Sequence, residues 1–156
     1  IYVEGIIEGV VERIGFRSTV IRKFDKSLAT IPNFQFAEKA VINNTETTNR
    51  RIDWIIGLEY KSTADQLTKC RDQIEKHILS SEDFLVSKDT QLIVKLNQFS
   101  ASSIDIRVRC FTKTNQYLEW INAKDRLIIA IKAIVEKNGA SFAFPSQSVY
   151  VEKLEK

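Results

Sequence analysis

Few side chains in this sequence have the type and spacing for bond-making chemistry. His77 is the sole histidine. On a helix its i−4 and i+4 neighbours are Gln73 and Ser81, so neither a metal pair nor a base–nucleophile pair forms around it. Glu82 and Asp83 are consecutive, and adjacent carboxylates in a loop do not converge on one substrate. Cys70 and Cys110 match no metal or redox spacing and read as buried, reduced thiols. No glycine-rich phosphate loop, nucleophile elbow or histidine-rich zinc motif occurs. The residues point away from an enzyme, and neither a cofactor nor a metal is expected.

Charge is patterned instead. Asp105, Arg107 and Arg109 alternate with Ile104, Ile106, Val108 and Cys110, which predicts a strand with one apolar and one charged face. Ile52, Trp54, Ile56, Leu58 and Tyr60 fall at the same period, with Arg51, Asp53 and Glu59 in the other frame. If helices cover the apolar face, the charged one is wet. It then serves either cross-strand ion pairing or an ion-facing surface. Arg13, Arg17, Arg22 and Lys23 form a second basic group, read as a solvated face or as an attraction for anionic lipid headgroups. The net charge of +3 is too mild for a dedicated nucleic-acid binder.

The elements that must position these groups fall into two sets. The first, 1–48, has short β signals: Gly9–Ile14, Phe16–Phe24, Leu28–Ile31 and Val41–Asn43, with a helical turn at Phe34–Glu38. Short strands and tight turns suggest a small barrel. Gly15 stands at a bend, where a residue with free φ is favoured. Pro32 ends a strand, and Asn33 can bond local backbone after that exit. The polar stretch Asn43–Asn49 is the linker. The second set, 49–156, reads strand, helix, strand, strand, helix, strand. Its strands are Arg51–Tyr60, Gln91–Phe99, Ile104–Cys110 and Ser148–Glu152. Thr63-Ala64-Asp65-Gln66 predicts a capping box before a helix with Leu67, Cys70, Ile74 and Ile78 on one stripe. A longer helix spans Gln116 to Lys137 and stops at Asn138-Gly139. The order is the split βαββαβ of ferredoxin-like folds. The second helix is the more apolar, and the excess either faces another subunit or serves the domain's own core.

Length and composition agree with globular domains: 156 residues, 44% hydrophobic, 28% charged, five glycines and two prolines. No run approaches the ~20 apolar residues needed to span a bilayer. The most apolar, Leu127–Val135, is interrupted by Lys132. Glu4 and Glu8 break any signal peptide. The chain opens on Ile1-Tyr2-Val3, already strand-like and without an initiator Met, and is expected to be part of a longer protein with its first strand truncated.

Three stretches, Gly9-Val10-Val11-Glu12-Arg13-Ile14-Gly15-Phe16-Arg17-Ser18-Thr19, Thr30-Ile31-Pro32-Asn33 and Phe142-Ala143-Phe144-Pro145-Ser146-Gln147-Ser148-Val149-Tyr150, together resemble the cytoplasmic C-terminal region of the small-conductance mechanosensitive channel (MscS-like) family. The resemblance covers almost the whole chain in order. It implies a small all-β Sm-like barrel followed by an α+β ferredoxin-like domain. Gly15, Arg17, Ser18, Thr19, Pro32, Asn33, Pro145 and Gln147 are the family-motif positions. The family often has Asp-Gly in the turn before the Ile-Pro-Asn strand; here it is Asp25-Lys26-Ser27, which lacks the easy positive-φ residue.

The resemblance implies a multi-pass inner-membrane channel, its membrane helices outside this chain, that releases ions and small solutes on hypo-osmotic shock. Seven subunits would enclose a cytoplasmic vestibule with side portals, while the isolated chain is compatible with a monomer. Asp105, Arg107 and Arg109 are the candidates for a vestibule or portal face. Two other classes fit the fold. A nucleic-acid-binding module needs aromatics on the open sheet face, and Ile104, Ile106 and Val108 are not aromatic. A small-molecule-sensing regulatory module would show itself by ligand-dependent stabilisation.

Overall fold

A computed structural model describes residues 1–145. The chain divides into two compact units, Ile1–Thr48 and Asn49–Lys156.

In the first unit, β1 (Tyr2–Val3), β2 (Ile7–Glu8) and β6 (Val41–Ile42) make one small antiparallel sheet in the order β2-β1-β6. β3 (Val10–Ile14), β4 (Ser18–Arg22) and β5 (Leu28–Pro32) make another in sequence order. α1 (Phe34–Ala37) follows, and a 3-10 turn at Asn44–Glu46 lies within the expected linker. Val3, Ile7 and Ile21 are buried together, with Val11, Ala29, Ile31 and Phe36 packed on them, so both sheets and α1 serve one core. The expected barrel is thus two three-stranded sheets over a shared core, because hydrogen bonding does not run continuously from one to the other. β4 is the central strand of its sheet, and Thr19, Val20 and Ile21 are all buried on it, with Ile21 in the shared core.

The β4–β5 hairpin closes at Lys23–Ser27, where the Lys23 and Lys26 amides donate to Ser27 O at 2.9 Å and Lys23 O at 3.0 Å. Lys26 takes φ 72°, so a lysine adopts the left-handed conformation that the missing glycine would have supplied. The Asp25 carboxylate accepts from the Ser27 amide at 2.9 Å and stabilises the turn locally.

In the second unit, β10 (Ile104–Thr112) is the central strand. β7 (Arg51–Leu58) pairs antiparallel along its whole length, from Ile104↔Leu58 to Phe111↔Arg51. The opposite edge of β10 is shared by β9 (Ile93–Phe99) and the two-residue β8 (Phe84–Leu85). α2 (Ala64–Ser80) begins at the reciprocal Thr63–Gln66 capping box, and α3 (Tyr117–Lys137) ends before Gly139 at φ 67°.

Ile52 and Leu58 of β7, Val94 of β9, and Ile104, Ile106, Val108 and Cys110 of β10 pack against Leu67, Cys70, Ile74 and Ile78 of α2. Leu127, Ile131 and Val135 of α3 complete this core. One sheet is therefore backed by two helices on one face. Both cysteines lie in this core as free thiols, and burial pushes the Cys110 thiol up to about 12. β7 stops at Leu58. Tyr60, read as strand, lies beyond its end, stacks on Phe99 at 6.2 Å between ring centroids and donates its hydroxyl to Ser100 O. After α3 the chain returns to the free edge of β7, where Ala143 N donates to Gly57 O at 2.9 Å and Phe142 bridges Leu58. The expected strand Ser148–Glu152 lies outside the described residues.

Candidate functional site

The face of the second sheet opposite the helices carries the charged residues. In-register neighbours there are Asp53–Arg109–Ile93, Ile55–Arg107–Lys95 and Gly57–Asp105–Gln98. Asp53 organises the first two rows. Arg107 is bidentate on it, Nε to Oδ1 at 3.0 Å and Nη2 to Oδ2 at 2.9 Å. Arg109 brings Nε and Nη2 to Oδ2 at 3.0 and 2.8 Å. The Asp53 side chain is 22% exposed and those of Arg107 and Arg109 are 38% and 30% exposed. The Arg107 guanidinium, aided by Arg109, holds the Asp53 carboxyl well below the usual carboxylate range. Two cations on one anion leave a single positive charge. Arg51, opposite Phe111 at the end of the sheet, adds another and makes no side-chain hydrogen bond among the described residues.

Asp105 differs from the expectation of a wet face. It is 4% exposed. The Ser100 and Ser103 hydroxyls donate to its oxygens at 2.6 and 2.7 Å, and Gln98 Nε2 lies at 3.4 Å. Those bonds, Ser100 first, hold its carboxyl below the ordinary range. The carboxylate is spent on closing the Ser100–Ser103 turn between β9 and β10, where Ser100 N donates to Ser103 O at 2.8 Å. Gly57 makes room for it: a Cβ there would stand 2.9 Å from the Ser103 Cβ. Sequence reading passes over Gly57 and Ser100 and takes Ser103 only as part of the Ala101-Ser102-Ser103 turn, because only the cross-strand register sets them around position 105.

The family-motif residues of the first unit form a single hydrogen-bonded cluster. Asn33 Nδ2 donates to Gly15 O at 2.9 Å and to Phe16 O at 3.2 Å. Its Oδ1 accepts from the buried Thr19 hydroxyl at 2.8 Å, and its backbone N donates to Arg17 O at 2.9 Å. Gly15 N closes the turn onto Ser18 O at 2.8 Å. Gly15 does not use positive φ. Glycine is required because a Cβ would meet Ser18 O at 2.8 Å. Pro32 ends β5 opposite Ser18. Asn33 thus pins the β3–β4 turn from the far end of β5, with Ile14 and Phe16 exposed at that tip, Phe16 at 97%. Of the basic group, Arg22 is paired with Glu12 at 2.7 Å and Lys23 with Asp25 at 3.0 Å. Arg13 and Arg17 make no side-chain bond among the described residues. Pro145 is the last described residue, and Gln147 lies outside.

A cleft of about 420 Å³ between the first turns of α3 and the ends of β8 and β10 went unread in the sequence. It is lined by Asp83, Lys113, Glu119, Asn122 and Arg126. Arg126 is bidentate on Asp83 at 2.9 and 2.6 Å across 43 positions of sequence, which no local pattern signals. Among the described residues no cluster of three His, Cys, Asp or Glu side chains is placed to hold a metal, and no helix is long and apolar enough to cross a membrane.

Two family models match in sequence order. "Mechanosensitive ion channel, beta-domain" covers residues 3–46, and "Mechanosensitive ion channel MscS, C-terminal" covers residues 52–142. An MscS family protein of Aquifex aeolicus is 42% identical over 148 residues, spanning 95% of this chain and 40% of its own length. The low conductance mechanosensitive channel YnaI of Escherichia coli is 38% identical over 151 residues, covering 95% of this chain and 42% of its own. The chain therefore spans less than half the length of these curated relatives. The crystal structure of Helicobacter pylori MscS in its closed state aligns with a TM-score of 0.78 at 27% identity, over 97% of this chain and 58% of that one. Arabidopsis thaliana MSL1, at 20% identity, shares the fold with a TM-score of 0.82 over 90% of this chain and 50% of its own.

Proposed function

This chain belongs to the MscS family of mechanosensitive ion channels, and from that premise we propose that it is the cytoplasmic region of a channel that releases ions and small solutes on hypo-osmotic shock. The observation that carries the reading is the tandem match: two family models, 3–46 and 52–142, in the family's order and five residues apart, on a chain that divides between Thr48 and Asn49. In this reading the first unit is the Sm-like β-domain next to the membrane. The second is the ferredoxin-like domain of a vestibule wall, in a ring of seven subunits. The membrane helices belong to the remainder of the subunit.

The residues take roles within that reading. The turn pinned by Asn33 gives the β-domain a rigid tip. The Asp53–Arg107–Arg109 face borders the vestibule or a portal, where permeating ions meet it. Exposed Leu118, Ile128 and Ile129 on α3 are available for contact between subunits. No step calls for a catalytic residue.

The test is expression of the full-length protein in a bacterium stripped of its own mechanosensitive channels. Survival of osmotic downshock, with tension-activated currents in membrane patches, is the expected result. Full expression at the membrane with neither survival nor current would refute the reading.

A further inference from the structure

We propose that Arg107 and Arg109, set side by side by Asp53, form a binding site for phosphate-class oxyanions on the open face of the second sheet. The inference stands on the chain's own geometry and does not need the channel reading. The two arginines lie two residues apart on one strand face, roughly 7 Å between backbones. Both turn the Nε–Nη2 side of the guanidinium to the same carboxylate, at 2.8 to 3.0 Å. A guanidinium has a second donor edge, Nη1 with Nη2. On neither arginine does Nη1 have a protein partner among the described residues, and both side chains are about one-third exposed. Two pre-set forks therefore remain open to solution.

The electrostatics favour an anion. Arg51, Arg107 and Arg109 outnumber Asp53 and Asp105 on this face, and the Asp105 charge lies at the far end, on the row beyond Arg107, held by its two serines. Lys95 lies beside Arg107 in register, with Glu75 at 3.4 Å. Planar forks match tetrahedral oxyanions with paired N–H donors, which a spherical halide cannot use. Asp53 is here a positioning residue: it holds the forks and does not touch the ligand.

The experiment is a titration of the whole chain with sodium pyrophosphate, ionic strength held constant with sodium chloride, read by NMR at the arginine Nε–Hε signals and, for every variant alike, at the backbone amides of β7 and β10. Saturable shifts confined to Arg107, Arg109 and the amides around them are expected. R107K/R109K keeps both charges and loses the forks, and it should weaken binding at least tenfold. D53N raises the net charge by one yet removes the brace, so it should weaken binding as well. The backbone amide spectrum of each variant reports that it is folded. The proposal is overturned if the wild-type shifts track ionic strength without saturating. It is equally overturned if the double-lysine variant binds within tenfold of wild type, or if D53N binds as tightly as wild type or more tightly.

Discussion

At the scale of single residues, the informative positions are those that break a local rule. Lys26 holds φ 72°, a conformation that costs a residue with a Cβ ~1–2 kcal/mol. Glycine would remove that cost and return about half of it as extra freedom in the unfolded chain. K26G should therefore stabilise the β4–β5 hairpin by about 0.5–1 kcal/mol. Both tryptophans, Trp54 and Trp120, lie in the second unit, so fluorescence does not see this change. Amide exchange at Ile21 does, and a several-fold slowing is expected; unchanged or faster exchange would show that the turn carries no strain. Asp105 breaks a different rule, as a nearly buried carboxylate without a cation. Its pKa, like that of Asp53, is depressed in the folded state. A depressed carboxylate contributes stability that is present above its unfolded value, near ~4, and is lost as pH falls through the folded one. Urea midpoints of the second unit, followed by tryptophan fluorescence, should be level from pH 7 to about 5 and then fall. D105N should lower the midpoint at pH 7 and flatten the acid limb; parallel curves for the two proteins would contradict this assignment. Alternation placed Asp105 on the charged face but could not show it capped, since the serines reach it only through a turn and a β-bulge between Asp105 and Ile106.

At the scale of elements, periodicity worked where a segment buries one face and failed where contacts are non-local. Ile104–Cys110 and the Leu67, Cys70, Ile74, Ile78 stripe were legible because the core imposes period 2 and period 3.6 on them. The capping box was legible because it is a four-residue device, and the structure shows both of its bonds, Gln66 N to Thr63 Oγ1 at 3.2 Å and Thr63 N to Gln66 Oε1 at 2.9 Å. What the motif could not disclose is that Gln66 also donates to Gly139 O at 2.9 Å, tying the start of α2 to the end of α3. T63A should cost about 1 kcal/mol, the usual worth of an N-cap. Q66A leaves the bond from the residue 66 amide to Thr63 Oγ1 but removes the bond from Thr63 N and the tie as well, two bonds against the one lost in T63A, so its loss should be the larger, read as the downward shift of the urea midpoint. Equal losses would mean that the long-range bond contributes nothing. β8 and the division of the first unit into two sheets stayed illegible, since two-residue strands have no period to detect and are defined only by their partners.

At the scale of the whole molecule, charge that cancels locally must be separated from charge that acts at a distance. The net charge of +3 says little, because Glu12–Arg22, Asp83–Arg126 and Lys132–Glu136 are paired where they stand. The open sheet face is different. Among the described residues Arg51, Arg107 and Arg109 stand there against Asp53 and Asp105, with Glu59 paired to Lys61, so each copy presents one uncompensated cation, concentrated at the end away from Asp105. In a ring of such chains around water, under the proposed function, these charges would repeat symmetrically and raise the local concentration of anions over a Debye length of about 8 Å at physiological salt. Selectivity of the full-length channel is then sensitive to this face even though the pore lies elsewhere. In patches under a potassium chloride gradient, R107Q/R109Q should move the reversal potential toward the potassium equilibrium value. The shift should shrink as salt rises, because screening shortens the reach of the face, and the tension threshold should stay fixed, because no pore residue has changed. A reversal potential indifferent to the substitution at low salt would place the face away from the permeation path and confine its arginines to binding.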